Sequence, residues 1–407
     1  MRNTKEFIEN GIRADCKKYK NRAPGSKNEY AIQKHFFKML HSWSDRVEIE
    51  KFTLHPHAFL GWISLCALIE IAAVCLLWAS SFGANIVCTV IGIVLSVVGI
   101  LMAWFEFFRY REFVDFLFPK RTSHNVYAVR NSKLPPKRRI IFGGHADAAY
   151  EFRYIYQANG KLSMPMIYAS LTGMALIFLG SVLILICRLN NLKNKVVFYS
   201  ISCIVSLFVP VFVGMLFFTN WKRVTDGAND NLSGCYAAFA IMKHLKDHNI
   251  RFDETEVCCL ISGSEEAGLR GAEAFAKAHK KELTDVETVF IAMDTLREKE
   301  QLMAYTSGMY GTQKASREVG ALLQKAAKSL GVDLPEAPPY PGAMDSDAFS
   351  REGLLACGLG AVDHDPKPYY HTRMDTANNI DAECITLCTD ICLNAVTLYD
   401  TDGLEGE

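Results

Sequence analysis

Two adjacent glutamates, Glu265 and Glu266, follow the apolar run VCCLI of residues 257–261. The run is typical of a buried strand, so both carboxylates stand where a core strand ends. Neighbouring carboxylates repel each other, and burial raises the cost of keeping them charged. We therefore expect a compensating cation, or a role in catalysis, at this position.

The other apolar runs also end next to side chains that bind metal ions or move protons. These are His145 and Asp147 after RIIFGG, Asp294 after VFIAM, His364 and His371 after LLACGL, and Asp226 and Asp230 in TDGANDNLSG before a helical pattern. Because α/β sheets bind ligands at the carboxyl ends of their strands, we expect these side chains to converge. Imidazole and carboxylate without thiolate suit Zn²⁺, with Mn²⁺ or Co²⁺ as alternatives. The candidates outnumber the ligands of one tetrahedral site, which favours two metal ions.

The segments around these residues alternate between strand-like and helix-like patterns. RVEIEKFTL, NVYAVR and the four apolar runs predict strands, whereas GCYAAFAIMKHLKDH, RGAEAFAKAHKKEL and TQKASREVGALLQKAAKSL predict helices. This alternation predicts an α/β fold, a three-layer α/β/α sandwich with a mixed, largely parallel central sheet.

Four apolar stretches interrupt the pattern, and each is long enough to cross a bilayer, which needs about 20 residues. They cover 58–80, 83–105, and the uncharged gaps between Lys161 and Arg188 and between Lys195 and Lys222. We predict two transmembrane hairpins, four helices in all, at 57–106 and 162–221. They interrupt a single catalytic domain made of 1–56, 107–160 and 222–407.

Basic residues near the span ends are unevenly distributed. Ten lie on the side of the soluble segments, and the opposite side has only Arg188, Lys193 and Lys195. This favours a multi-pass membrane protein with its catalytic domain on the cytoplasmic side.

The thirteen cysteines form no CxxC pair, which agrees with a reducing compartment. Lys+Arg and Asp+Glu are equal at 44 each, which argues against nucleic acid as a partner.

Two residues stand out within the predicted spans. Glu70 lies in the middle of the first span, where a carboxylate facing lipid is costly. It is either a contact for a proton or substrate, or a protonated acid bonded to a neighbouring helix. Pro210 is expected to kink the fourth span.

The motifs HAD, GANDNLSG, SGSEEAGLRGAEAF, AMDT, DSDAF and YHTRMDT occur in this order along the chain. Together they resemble the co-catalytic di-zinc aminopeptidases, a family that includes bacterial leucyl-type aminopeptidases, glutamate carboxypeptidases and glutaminyl cyclases. NRAPGSKNE near the N-terminus looks like the opening of that catalytic domain. The resemblance covers nearly all of the soluble segments and none of the predicted spans.

The resemblance implies a role for each candidate residue. One zinc ion would be held by His145, Asp230 and Asp294, and a second by Asp230 as a bridge together with Glu266 and His371. Asp147 would orient His145. Glu265 would be the general base, which takes a proton from the attacking water and returns it to the leaving amine. His364 is a rival of His371, and the flanking residues Tyr370, Thr372 and Asp375 favour His371.

The chain departs from the family in one respect. Its first histidine motif and its bridging aspartate are normally joined by a short loop, whereas 84 residues with a predicted hairpin separate His145 from Asp230. Nine residues lead from Trp221 to Asp230 and span at most about 30 Å. This predicts a metal site close to the membrane face, and peptide substrates that arrive from or along the bilayer. The alternative is that the spans only anchor the domain.

These observations predict a membrane-anchored, zinc-dependent exopeptidase, an aminopeptidase that hydrolyses N-terminal residues of peptides. One alternative keeps the site and changes the reaction to glutaminyl cyclisation, or to carboxypeptidase or dipeptidase activity. Another is a non-catalytic receptor or assembly protein with a peptidase-like domain. A transporter would rest on the four spans and Glu70, with no internal repeat in support. The complete set of ligand candidates favours hydrolysis.

Overall fold

The computed structural model describes residues 2–83, 86–192, 194–338, 342–363 and 369–404. Contacts divide the chain into two compact units. The sheet unit consists of residues 1–56, 119–151 and 221–407, and the helical unit of residues 57–118 and 152–220. Residues 107–118 and 152–160, predicted to belong to the catalytic domain, group here with the helical unit.

The helices and strands alternate along the sheet unit. In chain order over both units, the helices are α1 (Arg2–Lys18), α2 (Lys27–His41), α3 (Ala58–Gly83), α4 (Ile86–Met102), α5 (Arg153–Ala158), α6 (Ser163–Leu189), α7 (Lys195–Ser206), α8 (Val209–Met215), α9 (Ser233–Asp247), α10 (Arg270–Ala278), α11 (Arg317–Ser329), α12 (Asp345–Arg351) and α13 (Ala382–Asp402). The strands are β1 (Arg46–Leu54), β2 (Arg121–Arg130), β3 (Arg138–His145), β4 (Tyr150–Phe152), β5 (Thr219–Val224), β6 (Thr255–Ser262), β7 (Glu287–Leu296), β8 (Leu302–Tyr305), β9 (Ser307–Gly308), β10 (Gln313–Lys314) and β11 (Leu355–Ala361).

The main sheet of the described residues has seven strands in the order β1-β2-β6-β3-β7-β11-β8. The four central strands, β6, β3, β7 and β11, are parallel. The pairs β1–β2, β2–β6 and β8–β11 are antiparallel. The predicted mixed sheet is confirmed, and its parallel centre places the carboxyl ends of β3, β6 and β7 at one edge.

Helices cover both faces of the sheet. Val289 and Ile291 of β7 belong to the same apolar cluster as buried side chains of α9 and α13. The intervening Phe290 stacks on Phe349 of α12, with 4.1 Å between ring centroids. On the same side as α12, Phe275 of α10 packs against Tyr127 of β2 and against Phe349. Successive side chains thus enter opposite layers, as strand geometry requires, and the predicted three-layer arrangement is confirmed.

The helical unit contains the four long apolar segments that the sequence predicted as spans. By length and composition, five helices of the described part could cross a membrane: Ala58–Gly83, Ile86–Phe108, Ser163–Leu189, Lys195–Met215 and Ala382–Asp402. The last of these is α13, whose buried face belongs to the core of the sheet unit. The fourth segment is interrupted between α7 and α8, and Pro210 lies in the first turn of α8 as the kink prediction expects.

Glu70 is fully buried inside the helical unit. Its Oε1 atom lies against Gly99 of α4, where a Cβ atom would come within 2.1 Å of that oxygen. Neither carboxylate oxygen has a hydrogen-bond partner among the residues that the structure describes. The hydrogen bond to a neighbouring helix, one of the two interpretations of this residue, is therefore not observed there.

Candidate metal centre

The carboxyl ends of the central strands carry the predicted ligands. His145 is the last residue of β3, and Asp294 lies in the last part of β7. His145 Nε2 is 3.1 Å from Asp230 Oδ1 and 3.7 Å from Asp294 Oδ2. Close packing sets the position of His145, because a Cβ atom on the preceding Gly144 would lie 2.8 Å from the backbone of α9. The three ligands predicted for the first metal ion therefore lie together.

The second group of predicted ligands shares Asp230. His371 Nε2 lies 3.0 Å from Asp230 Oδ2 and 3.4 Å from Glu266 Oε1. The two oxygens of Asp230 thus face two different imidazoles, Oδ1 towards His145 and Oδ2 towards His371. This is the arrangement required of a carboxylate that bridges two metal ions.

Glu265 lies beside this cluster. Its Oε2 atom is 3.8 Å from His145 Nε2. Among the described residues, His145 forms two groups whose ligand atoms all lie within 4.8 Å of one another, one with Asp230 and Glu266, the other with Glu265 and Asp294. A short 3₁₀ turn, Glu265–Ala267, follows β6 and carries both glutamates. The turn therefore directs two adjacent carboxylates into one site, one towards each group.

The site is buried and rich in negative charge. Burial raises the pKa of Glu265 and of Glu266 well above the usual value, and the charges of neighbouring carboxylates add to the effect. Burial opposes ionisation of Asp230 too, but the adjacent imidazoles of His145 and His371 lower its pKa below the usual value. The imidazoles thus favour the ionised form of Asp230, which is the form that binds metal ions.

These donors suit a divalent cation. The two ring nitrogens of His145 and Glu266 Oε1 are buried and, within the described part of the chain, make no hydrogen bond. A cation would give these atoms partners and neutralise the clustered carboxylates. Nitrogen and oxygen donors without thiolate match Zn²⁺.

Asp147 holds the glutamate turn as well as facing His145. Its Oδ1 lies 3.4 Å from His145 Nδ1, the contact expected of a residue that orients the imidazole. The backbone N–H groups of Glu265 and Glu266 donate to its Oδ1 and Oδ2, both at 3.0 Å. One buried carboxylate therefore connects the end of β3 to the turn that follows β6, a contact that the sequence did not reveal.

Asp147→Asn is expected to lower the affinity for zinc by about 10- to 100-fold. Asparagine keeps one acceptor oxygen, and its NH₂ group would face a backbone N–H of the glutamate turn or the imidazole of His145. Competition with a chromophoric chelator measures the affinity. Asp253→Asn, on an exposed loop residue, is the matched control. Equal zinc affinity in the Asp147 variant and the control would contradict the positioning role.

Further buried residues hold the ligand loops. Asp375 of the YHTRMDT motif accepts hydrogen bonds from the backbone N–H groups of Asn229 and Asp230, at 2.8 and 3.1 Å, and burial raises its pKa to about 7. Arg22 of NRAPGSKNE is fully buried and donates to Ala146 O at 2.9 Å and to Asp226 O at 2.9 Å. It thus connects the loop after His145 to the loop before Asp230. Both residues lie in motifs that the resemblance contained, and this was the only signal of their importance.

Two further residues belong to the C-terminal motifs. Asp345 of DSDAF is buried, accepts a hydrogen bond from the Ser262 hydroxyl, and has a pKa raised to about 7 by burial. The Tyr370 ring stacks on His371, with centroids 4.1 Å apart. DSDAF is one of the motifs that carry the resemblance, which implied no role for its first aspartate. His364, the rival of His371, lies outside the described residues.

Solved structures of known proteins share this fold. An aminopeptidase from Aneurinibacillus sp. strain AM-1 superimposes with a TM-score of 0.56 at 15% identity, over 97% of this chain and 93% of that one. The zinc aminopeptidase BSAP from Bacillus subtilis gives a TM-score of 0.55 at 14% identity, over 98% and 95%. A glutaminyl cyclase from Bacteroides thetaiotaomicron gives 0.54 at 12% identity, over 96% and 97%. The chain therefore has a zinc exopeptidase-like fold.

A family profile matches part of the sequence. The profile described as Peptidase family M28 matches residues 213–396. This range contains Asp230, Glu265, Glu266, Asp294 and His371, and it begins after His145. Residues 213–396 are therefore similar to the Peptidase family M28 domain, which confirms the resemblance drawn from the motifs. No curated protein sequence matches the chain significantly.

Proposed function

We propose that this protein is a membrane-anchored, zinc-dependent aminopeptidase that removes N-terminal residues from peptides. The observation that carries the proposal is the position of Asp230, whose two oxygens face His145 and His371 at 3.1 and 3.0 Å. A monodentate or purely structural aspartate would not need both oxygens directed at imidazoles.

In this proposal the site holds two zinc ions. His145, Asp230 and Asp294 would hold one, and Asp230, Glu266 and His371 the other. Bound zinc supplies Lewis-acid polarisation of the scissile carbonyl and lowers the pKa of water. The donors leave Glu265 as the carboxylate without a ligand role.

Glu265 acts as the general base. Its carboxylate accepts the proton of the attacking water and then delivers it to the leaving amine. Burial suits this work, since it raises the pKa of Glu265 above the usual value of a carboxyl and so favours uptake of a proton. Asp147 keeps the Glu265 backbone in place through the 3.0 Å hydrogen bond.

Glutaminyl cyclisation is the second candidate reaction, and the similarity to the Bacteroides thetaiotaomicron glutaminyl cyclase supports it. We favour hydrolysis because both glutamates and all five ligand candidates lie together.

We also propose that the four apolar helices of the helical unit anchor the protein, with the sheet unit on the cytoplasmic side. Membrane-associated peptides are proposed as substrates on chain connectivity alone, since Asp230 lies nine positions after Trp221, at the end of the last apolar segment.

Full-length protein in detergent is expected to hydrolyse aminoacyl-arylamides. Activity should fall to background with a chelator and return on addition of Zn²⁺ or Co²⁺, since the carboxylates and imidazoles of the site need the cation. Release of the arylamine measures the rate. Conversion of an N-terminal glutaminyl peptide to its pyroglutamyl form, without arylamide hydrolysis, would support the cyclase instead. Bound metal without either activity would support a non-catalytic role.

A further inference from the structure

The turn that carries Glu265 begins with a residue in an uncommon backbone conformation. Ser264 has φ 54° and ψ 42°, in the left-handed region. A residue with a Cβ atom adopts this region at a steric cost, and such residues persist where surrounding contacts hold them. The Ser264 conformation directs the following two residues, Glu265 and Glu266, into the metal site. Something must therefore stabilise Ser264.

Glu29 of α2 supplies that contact. Its Oε1 atom accepts from the backbone N–H of Ser264 at 2.6 Å and from the Ser264 hydroxyl at 2.9 Å. Its Oε2 atom accepts from the Gly25 backbone N–H at 2.8 Å. Glu29 is buried, and these hydrogen bonds occupy both oxygens of its carboxylate. Its partner Ser264 is 235 residues away in the chain.

Other residues hold the rest of the same loop. Asn125 of β2 accepts from Gly263 N at 3.0 Å and donates to Gly271 O at 2.9 Å, so it connects the two ends of the loop. Asp147 holds the N–H groups of Glu265 and Glu266. The Ser264 hydroxyl also accepts from the Gly25 backbone N–H at 3.1 Å. Glu29 and Gly25 thus contact Ser264 itself, whereas Asn125 supports the ends of the loop independently. Loss of the Glu29 contact should disturb the turn without unfolding the loop.

We propose that Glu29 is a positioning residue for the general base: by holding Ser264 in its left-handed conformation, it fixes the direction of Glu265. The inference rests on the proposed function for the role of Glu265. It does not need Glu29 to touch substrate or metal, because Glu29 acts through the Ser264 backbone. The segment NRAPGSKNE thereby gains a function, since Glu29 holds the glutamate turn and Arg22 holds the loops of His145 and Asp230.

Glu29→Gln is the informative variant. An amide has one acceptor oxygen, so its NH₂ group would face either the Ser264 N–H or the Gly25 N–H. We expect kcat at saturating zinc to fall by about 10- to 100-fold, with KM changed by less than about threefold. The visible absorption spectrum of the cobalt-loaded protein should also change, because Glu266 stands on the same turn. Glu6→Gln, on an exposed residue of α1, is the matched control and should behave as wild type.

Two further variants distinguish positioning of the turn from a purely structural role of Glu29. Tyr399→Phe removes a partly buried hydrogen bond to Glu287 O, remote from the turn in sequence, and should lower the Tm without changing kcat or the cobalt spectrum. Ser264→Gly, placed in the Glu29→Gln background, should restore kcat in part, because glycine adopts a positive φ without the steric cost. Restoration by the glycine would not be expected if Glu29 only stabilised the fold.

The outcomes are distinct from those of the proposed function. Wild-type kcat and an unchanged cobalt spectrum in Glu29→Gln would overturn the inference while leaving the peptidase proposal intact. If wild-type protein binds cobalt but cleaves no peptide, the proposed function fails. A spectral change in Glu29→Gln that glycine at position 264 reverses would still support the positioning of the turn.

Discussion

Glu265→Gln is expected to lower kcat by about 10²- to 10⁴-fold while the bound metal content stays at the wild-type level. Glutamine has nearly the same shape as glutamate, but its amide does not accept a proton from water at neutral pH. The ligand set of His145, Asp230, Asp294, Glu266 and His371 remains complete, so metal binding has no reason to fall. Steady-state kinetics with an aminoacyl-arylamide, and metal analysis of the same preparation, test both halves of this prediction.

The neighbouring glutamate provides the control. Glu266→Gln changes a carboxylate of the same type, burial and turn, but one whose Oε1 lies 3.4 Å from His371 Nε2 among the ligands. We expect this variant to bind less metal, and its activity to recover in part when zinc is raised. Opposite results, metal loss in the Glu265 variant or normal turnover by it, would contradict the assignment of general base and ligand.

Asp230→Ala is expected to have the largest effect on metal binding. Its two oxygens serve both halves of the site, so the substitution removes one ligand from each predicted metal ion. Loss of a residue that only supports ligands lowers affinity or activity by about 10- to 100-fold. We expect the loss of a shared ligand to exceed that, and the purified variant to have less than the wild-type metal content and no measurable turnover. Metal analysis after dialysis and a zinc titration measure the effect.

Asp226→Ala is the matched control for this prediction. Asp226 lies four residues earlier in the same segment, and the described contact with Arg22 uses its backbone oxygen, which alanine retains. This variant should keep wild-type metal content and activity. An Asp230→Ala protein with the full wild-type metal content would show that Asp230 does not bridge, and the two-metal proposal would fail.

The sequence predicted the elements well where a local pattern was strong. RVEIEKFTL alternates along its length and forms β1, and the apolar runs form the central strands β3, β6, β7 and β11. These predictions succeed because side-chain period follows from backbone geometry, which is local. Helix α13 shows the limit of composition, since by length and hydropathy it qualifies as a span. Its packing in the core of the sheet unit depends on distant partners that composition does not report.

Some features of the candidate site were also predictable from local sequence, and others were not. The types of side chain that bind zinc, and their positions directly after strands, are properties of short stretches of chain. Contacts such as Asp375 with Asp230, 145 residues apart, and Glu29 with Ser264 have no local signature. They arise where the order of strands in the sheet brings separate loops to one edge.

The amino-acid sequence by itself determined which chemistry is available: paired carboxylates, imidazoles and apolar strands that end beside them. It also determined the long apolar helices, because hydropathy is a sum over neighbouring residues. The tertiary structure alone decided that Asp230 faces two imidazoles, that Asp147 holds both glutamates, and that Glu29 supports their turn. The physical reason is that hydrogen bonds and metal ligands act over about 3 Å, and only folding brings residues far apart in the chain to that distance.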